Sequence, residues 1–192
     1  MGLWAGKRGT MDAERYITEH WDRNAVYNNL ERPKHRKRFR AIAARAGHPD
    51  ARTYCDVGCA FGHSTRALAD IMGGRWTGVD CSKTAIEKAI PLYPEFEFEL
   101  WDGVSDMGPW DIVICSEVIE HVPNDAEFAA GLIRAARLRF VVTTPAVEVN
   151  DPGHLRLYDA DSLRELFAAE NVVLNVETVG KFLFLTGDIC QP

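Results

Sequence analysis

From Thr53 onward the chain alternates short apolar runs with stretches of helical periodicity, and this alternation constrains the fold more than any other feature. "TYCDV", "RWTGVD", "FEFEL", "DIVICS" and "RFVVTT" read as five strands. "DIVICS" is the most apolar, as a strand covered on both faces should be. "HSTRALADIM" reads as a helix with Ala67, Leu68 and Ile71 on one face, and "SKTAIEKAI" as a helix opened by Ser82 as its cap. "NDAEFAAGLIRAAR" and "DADSLRELFAAE" are two more helices, the latter capped by Asp159 or Asp161. "VVLNVETV" and "KFLFLTG" close the chain as two strands joined at Gly180 and Lys181, a hairpin. The pattern predicts an α/β fold: a doubly wound, mostly parallel seven-stranded sheet with a C-terminal antiparallel hairpin and helices on both faces.

The chain has 192 residues, enough for one domain with one substantial core. Residues 51–192 are expected to form that core. Residues 1–50 are expected to be a helical extension of the same domain, with helical character from 11 to 46 and a stop at Gly47. Seven basic residues and one acid lie between Glu31 and Arg45, whereas residues 51–192 hold 22 acids and 11 bases. A basic helix on an acidic body is either a solvated face or a meeting point for an anionic partner. No apolar run approaches the roughly 18 residues of a membrane span. The N-terminus "MGLWAGKRGTMD" is too short and polar for a signal peptide, so a reducing, cytoplasmic setting is expected. The five cysteines contain no C-x-x-C pair and read as small apolar fillers rather than a zinc site.

In an open parallel sheet, ligands bind beyond the carboxyl ends of the strands. The first strand runs into "DVGCAFGHS", where Gly58 and Gly62 bracket a tight turn just after Asp56. The following helix points its N-terminal N–H groups at this turn, which favours an anionic group. The second strand ends at Asp80, 22 positions after Gly58, where a ribose diol would be held. The third ends in Trp101 and Asp102, an aromatic plane and an acceptor suited to adenine, with a simple turn cap as the lesser reading of Asp102. These strand ends together describe a nucleoside site with an acidic group attached. Ala60 and His63 stand where the dinucleotide fingerprint needs glycine, which disfavours NAD and FAD.

With "DVGCAFG", "GVDCS", "WDG" and "DIVICSEVIEHVP" in order at four strand ends, the chain resembles the class I S-adenosylmethionine-dependent methyltransferases over about residues 50 to 192. The resemblance implies a Rossmann-like fold and S-adenosylmethionine as cofactor. It implies that Asp56, Gly58, Cys59 and Gly62 line the methionine part and that Asp80 takes the ribose hydroxyls beside Cys81. Trp101, Asp102 and Gly103 would read the adenine edge, and Ser116 and Glu117 would face the sulfonium. "AARLRF" departs from the "KPGG" turn that many relatives carry before the fifth strand, which shortens a surface turn.

The acceptor side is expected from the N-terminal helices, Glu117 to His121, and "TPAVEVNDPGHLRLYD". Glu117, Glu120 and His121 stand at i, i+3 and i+4, one face of a helix. Three readings remain. "EVIEHVP" and "HLRLYDADSLRELF" are similar to stretches of small-molecule O-methyltransferases, with His121 or His154 as base or positioning group and an O (or N) nucleophile as acceptor. The E-x-x-E-H set followed by His154 is also similar to small-RNA 3′-terminal ribose 2′-O-methyltransferases, which implies a divalent metal held by Glu117, Glu120, His121 and His154. The third is a non-catalytic cofactor-binding module that regulates a partner.

Overall fold

The structure is a computed structural model that describes residues 33–151 and 153–190. The helical reading of residues 11–32 lies outside the described residues. In chain order the elements are α1 (Pro33–Ala46), β1 (Thr53–Val57), α2 (His63–Met72), β2 (Arg75–Asp80), α3 (Lys83–Leu92), β3 (Glu97–Leu100) and β4 (Trp110–Ser116). A three-residue 3-10 turn, Ile119–His121, follows. Then come α4 (Asp125–Ala135), β5 (Ala136–Pro145), α5 (Ala160–Leu166), β6 (Val172–Val179) and β7 (Phe182–Ile189).

The strands form one seven-stranded sheet in the order β3-β2-β1-β4-β5-β7-β6. Neighbours from β3 to β5 are parallel, and β7 runs antiparallel to both β5 and β6. Chain order reverses at β1 and β4, the switch point where such sheets bind ligands. The expected architecture is therefore the observed one.

Alternation along β4 sorts its side chains between two cores. Ile112 and Ile114 face one side with Tyr54, Trp76 and Phe184, covered by Phe39, Ile42 and Ala46 of α1 and Leu68 of α2. Val113 and Cys115 face the other with Phe140 and Leu185, covered by Phe128 and Leu132 of α4 and by Leu163 of α5 with Phe167 just beyond it. Both faces of β4 are buried, which explains its apolar sequence. Ser82 caps α3 by accepting from Ala85 N, and Asp159, rather than Asp161, caps α5 in a reciprocal box with Ser162.

Two local expectations change. Ile71 is 46% exposed, because the buried stripe of α2 runs through Thr65 and Leu68 to Met72 and leaves Ile71 off its edge. Before β5 there is no surface turn at all: α4 ends at Ala135 and the strand starts at Ala136. The basic helix is also partly spent internally. Arg45 pairs with Glu177 at 2.9 Å and lies over Phe184, and Arg139 holds the end of α1 by donating to the carbonyls of Arg45 and Gly47. Arg36, Lys37 and Arg40 remain exposed.

Candidate functional site

At the carboxyl ends of β1, β2 and β4 lies a cavity of about 370 Å³. Its floor is the turn after β1. Gly58 (φ 74°), Ala60 (φ 45°) and Gly62 (φ 80°) are all left-handed, and Gly58 N and Cys59 N both donate to Val79 O. A Cβ on Gly58 would stand 2.3 Å from Val118 Cγ2, so only glycine lets this turn pass under the loop after β4. Asp80 pins the turn from β2: its Oδ2 accepts from Ala60 N and its Oδ1 from Ser82 N, both at 2.9 Å.

Eleven residues were singled out as cofactor ligands, and eight of them line this cavity: Gly58, Cys59, Asp80, Cys81, Trp101, Gly103, Ser116 and Glu117. Three do not. Asp56 lies beneath the turn, its Oδ2 accepting from Ser64 Oγ (2.6 Å) and Thr65 Oγ1 (2.7 Å) and so fastening β1 to the first turn of α2. Gly62 backs onto β3, where a Cβ would meet Phe98 at 2.6 Å. Asp102 turns to solvent and caps its own loop, its Oδ1 accepting from Val104 N, Ser105 N and Ser105 Oγ. Trp101 is buried against Phe128 and donates its indole N–H to Ser105 O, so it serves as wall and core at once. Burial raises the Cys59 thiol well above its usual range, with Asp80 and Asp56 adding to the effect, so it stays protonated.

Burial also lifts Asp56 from the usual 3.8 to about 6, against the pull of its two hydroxyl donors. A carboxyl raised on folding favours the native state most below its unfolded value, and that advantage disappears as pH climbs through the folded value. Asp56→Asn keeps an acceptor for Ser64 and Thr65 but cannot ionise. Between pH 4 and 6.5 the wild type should lose about 2 kcal/mol relative to Asp56→Asn, measured by urea denaturation at each pH.

The far wall comes from β4 onward. Glu117 leaves the strand with φ 60°, its N–H donating to Thr143 O, so it does not share a helical face with Glu120 and His121 as expected. Its Oε1 accepts from Thr143 Oγ1 and its Oε2 stands 3.6 Å from Arg38 Nη1. Burial raises the Glu117 carboxyl, while Arg38 and Thr143 pull it back. Glu120 is 1% exposed; Thr144 Oγ1 donates to its Oε2, and its Oε1 has no hydrogen-bond partner among the described residues. Burial, and then repulsion from Glu117, raise Glu120 well above the usual carboxylate range.

The segment after β5 returns to this wall. Leu155 N donates to Glu120 O, Arg156 donates to Pro123 O, and Tyr158 donates to Asp125 Oδ2. These ties bring His154 to His121, ring centroids 4.6 Å apart and nearly perpendicular. Burial lowers the His154 pKa, which favours the neutral imidazole. Glu120, His121 and His154 thus converge, whereas Glu117, the fourth member of the expected metal set, points instead to Arg38.

Arg38 went unnoticed in the sequence. It sits in a run of basic residues, and only the burial of Phe39 and Ile42 shows which of them faces inward. Its guanidinium lies 5.6 Å from the ring centroids of Phe39 and Phe182, and Nε has no hydrogen-bond partner among the described residues. Val147, Val149 and Phe182 add apolar lining to the cavity.

A family model described as a methyltransferase domain matches residues 30–175. The ubiquinone biosynthesis O-methyltransferase of Thiobacillus denitrificans is 30% identical over 125 residues, covering 61% of this chain and 53% of that protein. The 2-methyl-6-phytyl-1,4-hydroquinone methyltransferase of Synechocystis is 33% identical over 95 residues, 46% of this chain and 30% of that protein. The chain therefore spans about half or less of these curated relatives. Among solved structures, the magnesium protoporphyrin IX methyltransferase of Synechocystis with bound S-adenosylmethionine superposes with a TM-score of 0.72 at 18% identity, covering 95% of this chain and all of that one. The putative methyltransferase complexed with the Trm112 activator of Haloferax volcanii gives 0.75 at 15% identity, covering 94% and 99%. At these identities the likeness is one of fold.

Proposed function

Because the chain belongs to the methyltransferase-domain family, we propose that it transfers a methyl group from S-adenosylmethionine to an oxygen of a small-molecule acceptor. The observation that carries the proposal is the donor set gathered in one cavity at the switch point. The cofactor has an amino-acid end, a ribose and an adenine, and the lining offers a complement to each. Arg38, with an unused Nε, suits the carboxylate, and Glu117 suits the ammonium. Asp80 suits the ribose diol, since its oxygens keep lone pairs beyond the two backbone donors they already hold. Trp101, Gly103 and Cys81 form a wall for the base.

The bound cofactor supplies a methyl carbon activated by positive sulfur. The protein's part is to hold an acceptor oxygen in line behind that carbon, so that the new C–O bond forms as the C–S bond breaks and its electron pair stays on sulfur. An acceptor hydroxyl must also lose its proton. The His121–His154 corner lies on the acceptor side, and the lowered His154 pKa leaves a nitrogen able to take it. Val147, Val149 and Phe182 fit a planar apolar acceptor. The names of the curated relatives, which concern ubiquinone biosynthesis and a phytylated hydroquinone, support a small molecule over an RNA end or a purely regulatory role.

Titration calorimetry should show one S-adenosylmethionine bound per chain, and labelled methyl should move from it to a hydroquinone or catechol. Absence of any affinity for the cofactor sinks the reading. Arg38→Ala should weaken cofactor binding about tenfold to a hundredfold, the value of one or two charge-assisted hydrogen bonds. If it leaves cofactor affinity unchanged, Arg38 does not hold the carboxylate.

A further inference from the structure

We infer that the face around the β6–β7 turn, made of Val147, Val149, Val179 and Lys181 with Lys37 and Arg40 of α1, is a docking surface for an anionic lipid bilayer. Three segments meet there. Pro145, the last residue of β5, and Val179, the last of β6, both pair with Phe182. Ala146 N donates to Lys181 O at 2.8 Å, which fixes the chain leaving β5 against the turn. The Phe182 ring centroid lies 5.6 Å from the Arg38 guanidinium, which sets the first turns of α1 beside both. Gly180 takes φ 63°, and a Cβ on it would meet nothing within 4 Å, so the turn points into open space. Val147, Val149 and Val179 are 42%, 52% and 38% exposed. Lys37, Arg40 and Lys181 are exposed as well.

Exposed apolar side chains grouped beside cations mark a surface that something else covers. A bilayer meets both at once. The valines can enter the acyl boundary, while the lysine and arginine stems lie along it and their charged heads reach lipid phosphates. Charge sets the orientation. Residues 33–46 of α1 include no acid, and Glu177 of β6 is held by Arg45 at 2.9 Å. Glu148, exposed between two of the valines, works against docking but is outnumbered by the three cations. Residues 51–192 hold twice as many acids as bases, so an anionic surface repels the body and accepts this face. A nucleic acid fits less well. Single strands are held by stacking on aromatic rings, and no aromatic side chain is among the large apolar residues exposed in the described part of the chain.

Val147, Val149 and Lys181 also line the cavity. Docking would therefore open the cavity onto the bilayer and let an apolar acceptor enter without crossing water. That consequence, unlike the docking itself, rests on the methyl-transfer reading. The test uses the whole chain with neither cofactor nor acceptor, in co-sedimentation with lipid vesicles. Phosphatidylcholine vesicles containing phosphatidylglycerol should retain the chain, and pure phosphatidylcholine should bind it at least about tenfold more weakly, since each cation at such a surface contributes about fivefold. Lys37→Glu combined with Lys181→Glu should weaken binding at least about thirtyfold, and Val149→Asp about tenfold. Leu100→Ser, on the 57% exposed Leu100 at the opposite edge of the sheet, should change it less than about twofold. Absence of binding to anionic vesicles overturns the surface, whatever the protein does with S-adenosylmethionine. Binding that Val149→Asp leaves unchanged overturns it too. Capture of single-stranded RNA in place of vesicles would assign the face to a nucleic acid and overturn the lipid reading.

Discussion

Asp80→Ala should lower the affinity for S-adenosylmethionine by at least about a hundredfold, read by titration calorimetry. The size follows from the carboxylate's double duty. Its two oxygens accept from Ala60 N and Ser82 N and hold the turn after β1 against the start of α3. The same carboxylate, only 8% exposed, lines the cavity where the ribose diol is proposed to sit. Alanine removes two charge-assisted bonds to the ligand, each worth about 1.5–3 kcal/mol, and leaves two buried backbone N–H groups without acceptors. The ligand loss alone reaches two powers of ten. Asp80→Asn separates the two effects. One carboxamide edge must turn its NH₂ towards a backbone N–H, so it should lose stability as well as affinity, despite its near-identical shape. Unchanged affinity in both variants would remove Asp80 from the site.

The second large effect lies far from the cavity. Gly187 stands in β7 opposite Phe140 of β5, and a Cβ there would be 2.1 Å from Phe140 Cζ. Phe140 cannot yield, being fully buried and stacked on Phe167 with ring centroids 5.4 Å apart. Gly187→Val should therefore destabilise by about 3 kcal/mol, the upper part of the range for overpacking a filled core. Shrinking the obstacle should restore part of the loss: Phe140→Leu combined with Gly187→Val should be more stable than the sum of the single effects, measured by urea denaturation. Additive losses would show that the ring is not what excludes the side chain.

Gly187 also shows why some of this protein was legible in its sequence and some was not. A glycine inside an otherwise apolar strand signals a close approach, but the partner, 47 positions away, is set by the β5–β7 register. Strand and helix order was readable because each element carries its own period, and Ser82 and Asp159 mark helix starts through local bonds. The position of Asp80, Trp101 and Glu117 at the cavity was readable because strand ends fix where such residues lie. That Asp56 and Asp102 lie off the cavity was not legible, because whether a carboxylate faces a cavity or its own chain depends on neighbours such as Ser64, Thr65 and Ser105. Arg38 was missed because its run of basic residues disguises the one that turns inward. The return of His154 to His121 depends on Arg156 and Tyr158 gripping the chain near Pro123 and Asp125, a tertiary link with no local signature.

The direct passage from Ala135 of α4 into β5 has a consequence for how such a chain can change. With no residue between helix and strand, an insertion there would shift β5 against both its neighbours and break two registers at once. At the opposite end of the same strand, the described residues between β5 and α5 form no helix or strand of their own, and they carry Val147, Val149, Asp151 and His154 into the cavity. New sequence can be accepted on that side at little cost to the sheet. Divergence of this chain towards other acceptors, in nature or by directed selection, should therefore accumulate at one end of β5 while the other end stays fixed in length.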